Sequence, residues 1–355
     1  MKRHAKLRSR KAGLPAGSLV HLGEVRMDTP AMHLLEYDPE GLEERELGNK
    51  DQVLHLERRR GVLWLNVYGL HDAALMAAIG QRFKLHPLVL EDILNTDQRP
   101  KVDDYGDYLY IVARLYASPP AGGALTSDQV SIILGPDFVL TFQERPLGAF
   151  NALRERLRGN RNQVLRLGAD YLAYSLLDTL VDRYFALVEE FSDRAEDVEE
   201  VILDKLRPGL IQDIHWIKRQ VTALRRSIWP LREVLNTLQR SHGDFFRPET
   251  QLYLRDVYDH TVHLLESLED LRDLLTGLLD IYLSTVSNRM NREIRALTVV
   301  ATVFMPAGLI AGIFGMNFHH MPWLDEPHGF ALSLALMGTI ASVMLGIFLR
   351  RRFTS

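Results

Sequence analysis

The side chains able to do chemistry in this sequence are carboxylates, imidazoles, amides and hydroxyls, because its 355 residues include 13 histidines but no cysteine. Disulfides, zinc-thiolate sites, iron–sulfur clusters and thiol nucleophiles are thereby excluded. Any metal must be met by oxygen or imidazole. Gly315-Met316-Asn317 closes an apolar run that begins at Ala296. The Asn317 amide and the Gly315 carbonyl can hydrogen-bond to the water shell of a cation, or can simply end a helix. His319, His320 and His328 follow closely. Imidazoles of this kind suit Zn²⁺ or Co²⁺, and are as readily inert in a loop. Glu189, Glu190, Asp193, Glu196, Asp197, Glu199, Glu200 and Asp204 form an acidic helical run. It is either a solvated face or a surface that concentrates cations.

The chain has no phosphate-binding Gly-rich lysine loop, no His-Glu-x-x-His and no nucleophile elbow. That points away from a nucleotide-driven pump and from an enzyme in general. A net charge of −4 gives no global field to draw nucleic acid, so none is expected as a partner.

The elements that must position these residues divide the chain. Lys2, Arg3, Lys6, Arg8, Arg10 and Lys11 are followed by no apolar run, so residues 1–24 read as a basic tail rather than a signal peptide. Residues 25–145 read as a soluble α/β domain. Val62–Val67 and Tyr108–Ala113 alternate with the period of strands, and Gly135-Pro136-Asp137 reads as a hairpin turn. Helices are expected near His71–Phe83 and Leu88–Leu94. Residues 146–248 have helical spacing with a break at Pro208-Gly209, which suits an antiparallel pair.

Residues 249–295 carry a heptad seam of Leu254, Val257, Thr261, Leu264, Leu268, Leu271, Leu275, Leu278 and Tyr282. It predicts a long stalk helix packed on copies of itself or on its neighbours. Continued into the apolar run that ends near Phe314, this helix would be roughly 100 Å long. Residues 296–317 and 329–349 each approach the ~20 apolar residues needed to cross a bilayer. Residues 318–328 form a short connecting loop and 350–355 a basic tail. Arg289, Arg292 and Arg295 precede the first span and Arg350, Arg351 and Arg352 follow the second, while Asp325 and Glu326 lie between. The bias of basic residues predicts cytoplasmic termini and an external loop.

Tyr282-Leu283-Ser284-Thr285-Val286-Ser287-Asn288-Arg289-Met290-Asn291 leads into the first span, which closes Ala311-Gly312-Ile313-Phe314-Gly315-Met316-Asn317-Phe318. With the long helix, the paired terminal spans, His86–Leu94 and Tyr253–His260, the chain resembles the CorA family of magnesium channels over essentially its whole length. The resemblance implies an α+β protein: a cytoplasmic α/β domain, a helical stalk and two C-terminal transmembrane helices, assembled as a homopentameric funnel in a bacterial or archaeal inner membrane. It implies Mg²⁺ as transported ion and regulatory ligand, with Co²⁺ and Ni²⁺ as further cargo.

Mg²⁺ gives up its octahedral water shell reluctantly, and neither span holds the carboxylates needed to strip it. The ion is therefore expected to pass hydrated, selected at Gly315, Met316 and Asn317. Asn291, Ile294, Leu297, Ala301, Met305, Gly308 and Gly312 fall on one helical face and match the family's pore-lining positions. Leu297 and Met305 would close the pore by dewetting. Gly308 stands where relatives carry threonine, and Trp323 where they usually carry glutamate, so an acidic role would move to Asp325 or Glu326. Pro306 is expected to kink the span. Asp92 and Asp256 match the residues that hold an inhibitory Mg²⁺ between subunits, with Glu91, Asp97 and Asp178 as candidates for a neighbouring site. Two other readings compete: a Zn²⁺ transporter of the same superfamily, and a membrane-anchored scaffold that transports nothing.

Overall fold

The computed structural model describes residues 13–118, 123, 125–159, 163–204, 207–241, 245–316, 319, 321, 323 and 327–352. Two compact units are present. The first holds residues 1–200 and 209–276, the second 201–208 and 277–355.

The first unit is built on seven strands: β1 (Ala31–Asp38), β2 (Gly41–Leu47), β3 (Val62–Tyr68), β4 (Lys101–Asp104), β5 (Leu109–Ala117), β6 (Thr126–Leu134) and β7 (Phe138–Gln143). They lie in the order β2-β1-β3-β7-β6-β5-β4. Every pairing is antiparallel except β3 with β7. Gly135-Pro136-Asp137 joins β6 to β7 as expected, with the Gly135 amide donating to the Phe138 carbonyl at 2.9 Å.

The sheet is buried on both faces. Beside β1 to β3 lie three short helices, α1 (Lys50–Leu54), α2 (Ala73–Phe83) and α3 (Pro87–Leu94). Leu75, Met76, Ile79, Val89, Leu90 and Ile93 of α2 and α3 close one core against Leu63, Leu65, Val67 and Tyr110 of the sheet. Asn66, Thr141 and Gln143 on the strands are also buried, and each has a partner: Gln143 Nε2 donates to Asn66 Oδ1 at 2.9 Å, and Trp64 Nε1 to Thr141 Oγ1 at 3.0 Å. A ladder paired this way avoids the penalty of burying polar groups without partners.

After the sheet come α4 (Asn151–Arg158), α5 (Gln163–Arg166), α6 (Ala169–Asp204), α7 (Leu210–Ser241) and the 67-residue α8 (Pro248–Phe314). Within the first unit α6 and α8 run parallel, since Tyr171 meets Tyr253 and Phe185 meets His263. α7 runs the other way, pairing Arg225 with Glu269 at 2.6 Å and Lys218 with Thr276 at 3.3 Å. The heptad seam from Leu254 to Leu275 is buried inside this three-helix layer. Each leucine so placed contributes about 2 kcal/mol. The neighbours foreseen for the seam are thus helices of the same chain. The layer is tied to the sheet by Tyr116, whose hydroxyl meets Ser227 Oγ at 2.7 Å.

Asp170 fastens the first turn of α6 to the start of α8. Its buried carboxylate accepts from Arg247 Nη2 at 2.7 Å and Thr250 Oγ1 at 2.7 Å. Burial alone would raise its pKa, but these bonds outweigh it and hold the group below the usual range.

In the second unit α8 continues to Phe314 and α9 spans Gly329–Arg352. Both are long and apolar enough to cross a membrane. Their hydroxyls are bonded within the helix: Thr298 Oγ1 donates to the Ile294 carbonyl at 2.8 Å and Thr302 Oγ1 to Thr298 at 2.7 Å. A span without surrounding water needs this internal pairing. Pro306 lies inside a helix that stays continuous.

Candidate functional site

Gly315 and Met316 follow the last residue of α8. Their amides donate to Ala311 at 2.9 Å and Ile313 at 3.2 Å, which uses carbonyls a helix end would otherwise leave open. The φ of Gly315 lies outside the left-handed region. Asn317, with Asp325, Glu326 and His320, lies outside the described residues.

Asn291, Ile294, Leu297, Ala301, Met305, Gly308 and Gly312 are all exposed along α8, Leu297 and Met305 each at 71%. So are Phe304 and Leu309, which flank this stripe on its two sides, while Val299, Val303 and Ile310 on the far side are half-buried. Exposure in one chain therefore does not separate a pore face from a lipid face.

Asp92 is set by local structure. His86 caps α3, its Nδ1 accepting from the Leu88 amide, and Pro87 opens the first turn. That places Asp92 in the last turn, half-buried, where its carboxylate accepts from Lys101 Nζ at 2.7 Å and Gln98 Nε2 at 2.9 Å. Its carbonyl accepts from Gln129 Nε2 at 3.2 Å. Lys101 also bonds Asp103 at 2.5 Å. Burial works against the charge on Lys101, but the two carboxylates outweigh it and raise its pKa. Asp92 thus has an ammonium against its carboxylate. Glu91 accepts from the Gly17 amide, and Asp97 is exposed.

Asp256 projects from α8 and is exposed, with His260 one turn on at 3.8 Å. Asp178 on α6 is half-buried. Burial, then the neighbouring Asp182 and also Asp256, push it up to about 6, with Arg156 and His260 acting in the opposite sense. The fold therefore brings Asp178 and Asp256 within electrostatic reach of each other. Among the described residues no group of three or more His, Asp or Glu is placed to hold a metal within one chain.

Sequence reasoning missed Lys101, Gln98, Asp182 and His260. The alternation Lys101-Val102-Asp103 puts the lysine and an aspartate on one side of a strand, which was the available signal for part of the Asp92 network.

Residues 59–352 match the family described as CorA-like Mg²⁺ transporter protein. The chain belongs to the CorA family. Its similarity to a cobalt/magnesium transport protein CorA of Thermotoga maritima is 42% identity over 345 residues, covering 97% of this chain and 98% of the relative. Among solved structures, the complete CorA magnesium transporter from Methanocaldococcus jannaschii superposes with a TM-score of 0.77 at 22% identity, covering 91% of this chain and 99% of the other. The full-length CmaX protein superposes with 0.72 at 24% identity, covering 93% and 100%. At those identities the two structures establish the CorA fold.

Proposed function

We propose that this chain conducts hydrated Mg²⁺, and also Co²⁺ and Ni²⁺, through a pore formed by five copies in the inner membrane of a bacterium or archaeon. Both termini are cytoplasmic in this reading. The observation that carries it is the Gly315-Met316-Asn317 end of an apolar span, in a chain alike over its full length to a cobalt/magnesium transport protein. The stripe from Asn291 to Gly312 lines the path, and amide and carbonyl oxygens at its end hold the water shell rather than the bare ion. The membrane potential supplies about 4.6 kcal/mol per 100 mV for a divalent ion, so no nucleotide is needed. A Zn²⁺ carrier is the weaker reading, because the relative is named for cobalt and magnesium.

Regulation by Mg²⁺ follows from the carboxylates. Asp92 of one copy and Asp256 of the next, with Glu91, Asp97 and Asp178 nearby, hold an ion that is bound only when the subunits are close. Such an ion shifts the population toward the closed state. Lys101 competes for Asp92 in its absence.

The test is Mg²⁺ flux into vesicles containing the full-length chain. Parent protein takes up Mg²⁺ under an inside-negative potential, and Asn317→Ala abolishes uptake while the assembly keeps its size. The Asp92→Asn, Asp256→Asn pair needs higher internal Mg²⁺ to be inhibited. No Mg²⁺ flux from the parent would overturn this reading, and Zn²⁺ flux in the same vesicles would then separate a Zn²⁺ carrier from a scaffold that transports nothing. An unchanged inhibition curve in the double variant would remove this pair as the sensor.

A further inference from the structure

Among the described residues, Lys84 and Trp323 are the two non-glycine residues with φ in the left-handed region. Lys84 is explained by its place at the C-cap of α2, where its amide donates to the Gly80 carbonyl. Trp323, at φ 73°, caps no helix. A bulky residue takes this conformation only where its surroundings hold it there.

Two contacts do so. The Trp323 ring stacks on Phe314, with centroids 6.5 Å apart and planes 15° from parallel. Phe314 is the last residue of α8 and is bonded directly to Gly315. The Trp323 carbonyl lies against Gly329, the first residue of α9, so closely that a methyl added there would collide with it. One residue therefore touches the end of one span with its ring and the start of the other with its backbone.

We propose that Trp323 is a positioning residue that ties the two spans together and fixes the Gly315-Met316 segment against which the cation is selected. The part that concerns cations rests on the channel reading above; the tie itself does not. An indole has no charge with which to capture Mg²⁺, so its role is geometric. The tightly held water shell of Mg²⁺ is a regular octahedron, whereas Ca²⁺ carries a larger and more irregular set of oxygen ligands, so only a segment of fixed shape can tell the two shells apart. A segment free to move would therefore lose discrimination between them.

The experiment uses the full-length chain in lipid vesicles, with two readouts. The first is hydrogen exchange of the Gly315 and Met316 amides, which are bonded to Ala311 and Ile313. Trp323→Ala removes the stacked pair and speeds exchange there by up to roughly tenfold, whereas Trp323→Phe, which keeps a ring, stays near the parent. Gly329→Ala also speeds it, by pushing the carbonyl away. Unchanged protection of the β5 amides shows that the variants fold. The second readout is Mg²⁺ flux against competing Ca²⁺, where Trp323→Ala loses discrimination and Trp323→Phe keeps it. If exchange at Gly315 and Met316 is unchanged in both Trp323→Ala and Gly329→Ala, there is no tie. If exchange rises but a selective parent and Trp323→Ala discriminate equally, the tie does not position the selecting segment. A parent without flux would sink the channel reading and the selective role that rests on it, while exchange would still decide whether the tie exists.

Discussion

Val25 and Val343 are exposed to nearly the same degree, 60% and 56%, and the same number means different things in the two units. Val25 is an isolated apolar residue on a surface otherwise made of ion pairs and polar groups, such as Arg26 with Asp128 and Glu144. Val343 lies among Leu332, Leu334, Leu336, Leu345, Ile347 and Leu349, all exposed on one helix. Single exposed valines are ordinary, while a continuous apolar surface marks contact with lipid or with other protein. The first unit buries most of its large apolar side chains within one chain. The second bonds hydroxyls such as those of Thr298, Thr302 and Thr339 within each helix and leaves an apolar surface suited to a membrane.

The strongest way to break this comparison is to remove a polar tie from the first unit. Asp170 is buried and carries the bonds from Arg247 and Thr250 that join α6 to α8. Asp170→Asn keeps the size and removes the charge. It should cost about 3 kcal/mol, the lower end of the range for a broken buried pair because Arg247 is partly exposed. Hydrogen exchange near the starts of α6 and α8 should then rise by about two orders of magnitude. Unchanged protection would mean that the unit is held by its leucine seam alone.

A charge placed at each valine sharpens the contrast. Val343→Lys should disfavour membrane insertion by about 2.5 kcal/mol, whereas Val25→Lys should change stability by no more than about 0.5 kcal/mol. Carbonate extraction of membranes measures the first and thermal unfolding the second. Equal, small effects would show that α9 does not lie in lipid.

The same difference decides what could be read in advance. The two spans, the hairpin at Gly135-Pro136-Asp137 and the seam from Leu254 to Leu275 were legible because each is a local pattern of apolar and turn residues. β4 was not, since Lys101-Val102-Asp103-Asp104 carries no apolar alternation and is a strand only through its register with β5. Gly315 and Met316 were legible as the close of an apolar run. Lys101 on Asp92 and the crowding of Asp178 were invisible for a further reason. Both depend on which helices and strands the tertiary fold brings together, and no spacing along the chain records that.

A smaller effect than that of Asp170 falls on Asp178, which sits near other carboxylates of the first unit. Its pKa of about 6 exceeds the ordinary 3.8 because burial and the nearby Asp182 disfavour its charge. The folded state therefore binds this proton more tightly than the unfolded state. Stability from this group is complete below pH 3.8 and is lost as pH rises toward and through 6. Asn resembles the neutral acid, so with divalent ions chelated Asp178→Asn should be the more stable form at pH 7.5. The shift corresponds to on the order of 1–2 kcal/mol after allowing for solvent at this half-buried site. The advantage should shrink as pH falls through 6 and vanish near pH 3.8. Thermal unfolding of parent and variant across that range measures it. A difference that stays constant with pH would show that the Asp178 carboxylate is not the strained group, and that the first unit tolerates its acidic neighbours without cost.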